Sequence, residues 1–287
     1  MKKLPHWRSL MYVPAAREKF IAKAHERGAD AIILDLEDSI APAEKPAARA
    51  ALAGAVPRVS ANGADVVVRI NRPLEMTVQD IEAAVMPGVR ALVCTKIMGS
   101  DHVKLLAELI EEAEARQRME IGHTGMVVLA EDAAGVLRAE EIARAHPRIV
   151  ALGIGGEDLA TDLGAEATPD ALELPKRLGV LAARSAGVLP LGFIGTVAGL
   201  SDLEGYRAML RRSRAIGFAC ASCVHPSQVA IINEEYGASE EELARAKRMI
   251  AAFEVALGQG LGAVSFEGQM IDLPVVERAR RLVERQR

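Results

Sequence analysis

Eight short apolar segments recur between Ser9 and Val224, and they constrain the fold more than any other feature of the sequence. They are rich in Val, Ile, Leu and Ala, and most are apolar throughout rather than at alternate positions. A strand of this kind is covered on both faces, which is typical of parallel sheets flanked by helices. We predict strands at residues 9–13, 31–35, 65–70, 91–95, 125–130, 149–154, 189–194 and 217–224.

Segments with helical patterns separate these strands. We predict helices at residues 15–27, 41–52, 100–116, 133–145, 172–186, 202–215 and 228–234, with Ser100 as an N-cap. Alternation of this kind produces right-handed β-α-β units, and eight of them closing on themselves form a TIM (β/α)8 barrel. A doubly wound open sheet is the alternative, but the first strand is followed by Pro14-Ala15-Ala16-Arg17 instead of a glycine-rich turn.

The C-terminal segment departs from the repeat. A long helix is predicted at residues 239–258, where Ser239 and Glu242 form a capping box. A glycine-containing break at 259–262, a short strand or hairpin at 263–270 and a final helix at 274–287 follow. We therefore assign residues 1–235 to a barrel domain. Residues 236–287 form a helical lid segment that packs on the barrel or on a neighbouring subunit.

Charge and cysteine content exclude several classes of protein. With 35 Lys and Arg against 39 Asp and Glu, the chain lacks the basic excess that nucleic acid binding needs. No apolar run approaches the roughly 20 residues of a membrane span, so we expect no membrane partner. Three cysteines fit a cytoplasmic protein, and Cys220 and Cys223 are interpreted as buried small residues rather than a redox pair.

Charged residues follow the predicted strands at their carboxyl ends, where TIM barrels carry their active sites. Carboxylates that converge on one rim repel each other unless cations lie among them. Mg²⁺ suits such a set because it prefers oxygen ligands, whereas no histidine pair has zinc-ligand spacing. The rim residues are Glu37, Asp38, Arg69, Lys96, Glu131, Asp132, Glu157 and Asp158.

Several of these side chains also have a structural interpretation. Glu131 and Glu157 could cap the helices that follow them. Arg69 could be a counter-ion for Glu37 as well as a substrate ligand. Lys96 could form a Schiff base, although neighbouring carboxylates would keep its pKa too high for a good amine nucleophile.

Six motifs spread over nearly the whole chain carry a family resemblance. They are RSLMYVP at 8–14, GADAIILDLED at 28–38, VRIN at 68–71, GGEDL at 155–159, CVHPSQ at 223–228 and GQMIDLP at 268–274. Together and in this order they resemble the citrate lyase β-subunit-like branch of the HpcH/HpaI aldolase family, which are CoA-ester lyases.

The resemblance implies a TIM barrel that assembles as a homotrimer or hexamer with one Mg²⁺ in each site. The metal ligands fall on Glu131 and Asp158. Arg69 falls on the arginine that binds the 2-oxo or 2-hydroxy acid. Asp272 falls on an acid carried by a C-terminal lid that closes over a neighbouring subunit's site, for which residues 259–262 offer a hinge.

The implied reaction is a reversible Claisen-type cleavage of malyl-CoA or citramalyl-CoA into acetyl-CoA and glyoxylate or pyruvate. Mg²⁺ would polarise the carbonyl of the oxo acid, and Asp272 would exchange a proton with the acetyl methyl group. We place Glu37 and Glu131 among the substrate-binding residues, and Arg8 and Arg17 at the CoA phosphates.

Departures from the family pattern concern the acyl-CoA pocket. Ala15-Ala16 replaces the usual Gly-Asn, and the segment after Glu131 lacks an arginine. Two further activities stay open. One is a malyl-CoA thioesterase or malate-synthase-like reaction, and the other is a citrate lyase β-like subunit acting on a citryl thioester held by a carrier protein.

Overall fold

The computed structural model describes residues 4–196 and 202–284 of the chain. Its residues group into two compact units, Met1–Tyr236 and Gly237–Arg287. The boundary lies one residue from the one assigned from the sequence.

The first unit is built on eight strands paired in the order β7-β6-β5-β4-β3-β2-β1-β8, and each of these pairs is parallel. A bridge between Leu191 and Cys220 connects the two ends of this order. The predicted TIM barrel is confirmed. The strands are β1 Ser9–Pro14, β2 Ala31–Asp35, β3 Asp65–Ile70, β4 Val89–Cys94, β5 Gly125–Ala130, β6 Ile149–Ile154, β7 Leu189–Leu191 and β8 Ala221–Cys223.

Both faces of the strands are buried, as their continuous apolar pattern predicts. On β2, Ile33 packs inside the barrel with Trp7, whereas Ile32 and Leu34 pack in the layer beneath the helices. All three β2 side chains are fully buried, and each contributes about 1.5–3 kcal/mol relative to an exposed position.

The helices differ from the sequence prediction at several points. The segment predicted as one helix at 133–145 is two helices, because the backbone leaves helical geometry at Arg138. Ser100 begins a helix but Gly99 is its N-cap. The helices are α1 Glu18–Ala24, α2 Lys45–Val59, α3 Leu74–Ala84, α4 Ser100–Arg116, α5 Ala133–Leu137, α6 Ala139–Arg144, α7 Gly156–Leu163, α8 Pro169–Ser185, α9 Leu203–Ala215 and α10 Pro226–Tyr236.

Two helices, α3 and α7, were not predicted, and two strands are shorter than expected. The helix α7 begins on Gly156, a residue that ordinarily marks a loop. The strand β7 ends at Leu191 because Gly192 has φ +135°, a conformation that few other residues adopt.

The second unit consists of α11 Glu240–Gly258, a hairpin of β9 Ala263–Phe266 and β10 Gln269–Asp272, and α12 Leu273–Glu284. The predicted capping box is confirmed: Ser239 Oγ accepts from the Glu242 N–H at 3.1 Å, and Glu242 Oε2 accepts from the Ser239 N–H at 2.9 Å. Residues 285–287 of the predicted final helix lie outside the described residues.

The three cysteines, Cys94, Cys220 and Cys223, are all buried, as the sequence interpretation expects. Within residues 4–196 and 202–284, no helix combines the length and apolarity that crossing a bilayer requires.

Candidate active site

A cavity of about 470 Å³ opens at the carboxyl ends of the strands. Its walls include Tyr12 from β1, Arg69 from β3, Glu131 after β5, Asp158 from α7 and Lys176 from α8. The structure therefore brings Arg69, Glu131 and Asp158 together at the end of the barrel where the sequence analysis placed them.

Arg69 is held by three carboxylates at the carboxyl end of β2. Its Nε and Nη2 donate to the two oxygens of Asp35 at 2.6 and 2.8 Å. Its Nη1 lies 2.9 Å from Glu37 Oε2 and 3.0 Å from Asp38 Oδ2. The guanidinium also stands over the Tyr12 ring, 4.8 Å from its centroid. The interpretation of Arg69 as a counter-ion for Glu37 is thus consistent with the geometry, and the group is fixed in position.

These contacts also set the protonation of the pair. Burial alone would lower the pKa of Arg69, but the hydrogen bonds and charge of Asp35 raise it. Burial favours neutral Asp35, yet the Arg69 hydrogen bonds lower its pKa overall. Arg69 therefore stays positively charged. The edge of its guanidinium formed by Nε and Nη2 is occupied by Asp35, which stays ionised.

Lys96 joins carboxylates from three different strand ends. Its Nζ donates to Glu37 Oε1 at 2.6 Å and lies 3.7 Å from Asp158 Oδ1. Its backbone N–H donates to Glu131 Oε2 at 2.7 Å. Lys96 has φ +50°, a backbone conformation that is uncommon for residues other than glycine. The backbone and the side chain of Lys96 thereby contact three carboxylates.

The same contacts argue against Lys96 as a Schiff-base lysine. Burial would lower the pKa of its amine, but the hydrogen bond and charge of Glu37, with the charges of Glu131 and Asp158, raise it. A protonated amine cannot attack a carbonyl.

Glu131 is the most strongly perturbed acid of the rim. It is only 8% exposed, and burial raises the pKa of its carboxyl to about 7. A Cβ atom on Gly155 would come within 2.6 Å of Glu131 Cγ, so glycine is needed there for the carboxylate to pack. The capping interpretation of Glu131 is wrong, because Asp132 Oδ1 accepts from the Gly135 N–H at 2.5 Å as the N-cap of α5.

Glu131 and Asp158 have the donor chemistry of a magnesium site. Both contact Lys96, Glu131 through the backbone N–H and Asp158 through the ammonium, and both carboxylates supply only oxygen. The described part of the chain holds no cluster of three or more His, Cys, Asp or Glu side chains able to bind a metal. Two carboxylates with substrate and water completing the shell are the usual arrangement for Mg²⁺, and zinc would need more protein ligands.

The remaining predicted site residues lie elsewhere. Arg8 precedes β1 and pairs with Asp30, which precedes β2, at 2.8 and 2.9 Å. This is the amino-terminal end of the barrel, opposite the cavity, so Arg8 cannot share a CoA site with the rim. Arg17 lies on the cavity side at the start of α1, half-exposed and 3.0 Å from Glu44. Asp272 ends β10 in the second unit with an exposed side chain.

Lys176, a buried lysine of the cavity wall, was not among the predicted site residues. Its Nζ donates to the Phe193 carbonyl at 2.8 Å and to the Gly195 carbonyl, and lies 5.4 Å from the Phe193 ring centroid. Burial lowers its pKa to about 8. Periodicity could have found it, because Lys176 follows Leu172 and precedes Val180 on the buried stripe of α8.

Residues 8–226 match the HpcH/HpaI aldolase/citrate lyase family. The chain belongs to this family. Its similarity to other members covers nearly the whole chain, which includes the second unit as well as the barrel.

Three family members illustrate this similarity. The citrate lyase subunit β of Leuconostoc mesenteroides subsp. cremoris is 34% identical over 280 residues, covering 96% of this chain and 92% of that protein. A (3S)-malyl-CoA thioesterase of Cereibacter sphaeroides is 34% identical over 269 residues, covering 93% and 90%. The structure of CitE from Mycobacterium tuberculosis in complex with magnesium, acetoacetate and coenzyme A has a TM-score of 0.76 and 33% identity, covering 96% and 97%.

Proposed function

We propose that this protein is a Mg²⁺-dependent CoA-ester lyase. Its substrate is a 3-hydroxyacyl-CoA that carries a carboxylate, of the malyl-CoA or citramalyl-CoA type, and its products are acetyl-CoA and glyoxylate or pyruvate. The observation that carries the proposal is the meeting of Glu131, Asp158 and Arg69 at one cavity. The relative whose structure contains magnesium, acetoacetate and coenzyme A supports it.

Arg69 supplies fixed charge in this proposal. Its guanidinium is anchored by Asp35 and Glu37, so it needs no rearrangement when negative charge develops on the oxygen of the oxo acid. Glu131 and Asp158 would hold Mg²⁺, which when bound polarises the carbonyl of the oxo acid. Glu37 orients both Arg69 and Lys96, and so acts on the substrate through these two cations.

Asp272 is the proposed proton carrier. In the condensation direction it takes a proton from the acetyl methyl group, and the resulting enolate carbon attacks the carbonyl carbon of the oxo acid. The new alkoxide then takes up a proton, and cleavage runs through the same steps in reverse. We propose that the second unit of a neighbouring subunit supplies Asp272, in a homotrimer or hexamer in the cytoplasm.

The exposed side chains of the second unit suit a lid. Met270 and Leu273 flank Asp272 with 80% and 53% of their surfaces exposed, although both are apolar. The hairpin turn at Glu267 and Gly268 is fixed by ion pairs from Glu267 to Arg245 and Arg248 on α11, so the hairpin and α11 form one rigid piece.

Arg17 is the remaining candidate for a CoA phosphate.

A second candidate function is hydrolysis of malyl-CoA. It is favoured by the 34% identity to (3S)-malyl-CoA thioesterases over 93% of the chain. In that case water attacks the thioester carbonyl, and malate and free CoA are released. A citrate lyase β-like role on a carrier-bound citryl thioester is supported by the 34% identity to citrate lyase subunit β.

One product assay separates these reactions. Purified protein with Mg²⁺ is incubated with malyl-, methylmalyl-, citramalyl- and citryl-CoA, and products are followed by mass spectrometry. Acetyl-CoA or propionyl-CoA with an oxo acid is expected. Free CoA with the intact hydroxy acid would identify a thioesterase, and the absence of any product would contradict the proposal.

The proton carrier has its own test. Asp272→Ala should abolish cleavage while leaving the circular dichroism spectrum and Mg²⁺ affinity unchanged. Glu241→Ala, an exposed acid on α11 of the same unit, is the matched control and should retain full activity. Full activity in the Asp272 variant would remove this residue from the mechanism.

A further inference from the structure

The Glu37 carboxylate is shared by two cations of the cavity. Its Oε2 lies 2.9 Å from Arg69 Nη1, and its Oε1 accepts from Lys96 Nζ at 2.6 Å. The position of this carboxylate therefore influences where both cations stand. Glu37 lies two residues beyond Asp35, the last residue of β2 that pairs with β3, so strand pairing does not fix its backbone.

Lys45, at the start of α2, binds the turn that carries Glu37. Its Nζ donates to the Leu36 and Glu37 carbonyls at 2.9 and 3.0 Å and to Asn71 Oδ1 at 2.6 Å. All three N–H groups of the ammonium therefore have acceptors, and two of these acceptors belong to the turn. Lys45 is buried and lies outside the cavity wall, so it contacts the turn rather than a ligand.

Asn71 connects the same turn to the end of β3, where Arg69 is located. Its Nδ2 donates to the Leu36 carbonyl at 2.8 Å. Asp80 on α3 is fully buried, and its Oδ2 accepts from both the N–H and the Nδ2 of Asn71 at 2.7 Å. The side chain of Asn71 is thereby fixed between Lys45, the turn and α3.

The buried carboxylate of Asp80 has a cation of its own. Arg49, one helical turn after Lys45 on α2, donates from Nε to Asp80 Oδ1 at 2.6 Å. Arg49, Asp80, Asn71 and Lys45 thus form a continuous polar network that ends on the Leu36 and Glu37 carbonyls. A buried network whose members are all hydrogen-bonded holds the backbone that it contacts in one arrangement.

We propose that Lys45 and Asn71 are positioning residues for catalysis, which act by holding the Glu37 carboxylate where it pairs with Arg69 and Lys96. This inference rests on the proposed function, because it takes Arg69 to be the fixed charge beside the oxo acid. It deepens that function by assigning the geometry of the cations to residues outside the cavity.

Loss of Lys45 should change the rate more than it changes binding. In Lys45→Met the turn loses two hydrogen bonds, and misplacing a catalytic group by about 1 Å can cost about 100-fold in rate. For the CoA ester that the wild type cleaves, we expect kcat to fall at least about tenfold and KM to stay within about twofold. Mg²⁺ affinity, measured by calorimetry, should be retained because Glu131 and Asp158 follow other strands.

A double-mutant cycle identifies the route of this effect. If Lys45 acts through the Glu37 carboxylate, Lys45→Met should lower kcat in the wild type but not in Glu37→Ala, which has no carboxylate left to position. Asn71→Ala should behave in the same way in both backgrounds. It provides the same test if Lys45→Met does not fold.

Arg148 provides a matched control for the loss of a buried cation. Its guanidinium also makes three hydrogen bonds, to the two oxygens of Glu114 at 2.9 and 2.7 Å and to the Thr124 carbonyl at 3.1 Å. It directly precedes β6, at the amino-terminal end of the barrel. Arg148→Met should lower the urea midpoint of unfolding, as Lys45→Met should, while its kcat stays at the wild-type value.

Each contrary result has a distinct meaning. An unchanged kcat in Lys45→Met would overturn the proposal. The same fold loss of kcat in the wild type and in Glu37→Ala would also overturn it, because Lys45 would then act independently of Glu37. An equal loss in Arg148→Met would show that kcat follows stability alone. A wild type that cleaved no CoA ester would contradict the proposed function itself, and this inference with it.

Discussion

Replacing Glu131 with glutamine should stabilise the metal-free protein while impairing Mg²⁺ binding. Burial raises the pKa of Glu131 from 4.5 to about 7, so the folded protein binds this proton more tightly than the unfolded chain. At about 1.4 kcal/mol for each tenfold change in proton affinity, ionised Glu131 costs the fold about 3 kcal/mol above pH 7. Glutamine removes this cost and can still accept the Lys96 N–H.

The sign of the pH dependence follows from the same numbers. Between pH 4.5 and 7 the folded state holds more protons than the unfolded state, so the free energy of unfolding falls as pH rises through this window. Glu131→Gln lacks this component. The variant should therefore match the wild type near pH 4.5 and exceed it by roughly 2–3 kcal/mol at pH 8.

Urea unfolding in EDTA measures this difference. Trp7 is the only tryptophan and lies in the barrel interior, so its fluorescence reports the barrel. Other groups titrate in both proteins, and the difference between the two pH profiles isolates Glu131. Mg²⁺ at 100 times its Kd should then stabilise the wild type by about 2.7 kcal/mol at pH 8, but not the variant.

Two outcomes would refute this reasoning. If the difference between the two proteins did not change between pH 5 and 8, Glu131 would not have the raised pKa that its burial produces. If Mg²⁺ stabilised Glu131→Gln as much as the wild type, Glu131 would not be a metal ligand.

Two further substitutions probe the same cavity. Gly155→Ala would place a Cβ atom 2.6 Å from Glu131 Cγ and displace the carboxylate. Calorimetry should therefore show Mg²⁺ affinity reduced at least about tenfold. An unchanged Mg²⁺ affinity would count against Glu131 as a metal ligand. Arg69→Lys loses the two parallel hydrogen bonds to Asp35, so kcat should fall about 100-fold while Mg²⁺ affinity is retained. An unchanged kcat would show that Arg69 does not stabilise the charge that develops in the reaction.

The barrel was predictable because each of its strands leaves a recognisable pattern in a short stretch of the sequence. Each strand must be apolar on both faces to lie between the barrel interior and the helices, as Ile32 and Ile33 illustrate, and this leaves a continuous apolar run. The rim acids were predictable for a related reason. A residue directly after such a run lies at the carboxyl end of its strand, which places Glu131 at the cavity.

Other features depend on contacts that the sequence order does not reveal. Arg8 was assigned to the rim from its motif, but it precedes its strand and pairs with Asp30 at the opposite end. Lys96 has φ +50°, which directs its N–H at Glu131. The identity of the residue as lysine does not predict this backbone conformation. The acceptors of Lys176 come from a loop 17 residues downstream.

The distribution of charge around the cavity explains why a divalent cation belongs there. Arg69 and Lys96 bring two positive charges to five carboxylates, which are those of Asp35, Glu37, Asp38, Glu131 and Asp158. Two cations cannot offset five acids, and burial, with the charges of Asp158 and Glu37, raises the pKa of Glu131 to about 7. A proton on Glu131 and Mg²⁺ beside it are alternative ways to remove the same excess of negative charge. With Glu131 as the proposed ligand, we expect Mg²⁺ binding below pH 7 to release a proton from Glu131, which links metal affinity to pH by up to about tenfold for each pH unit.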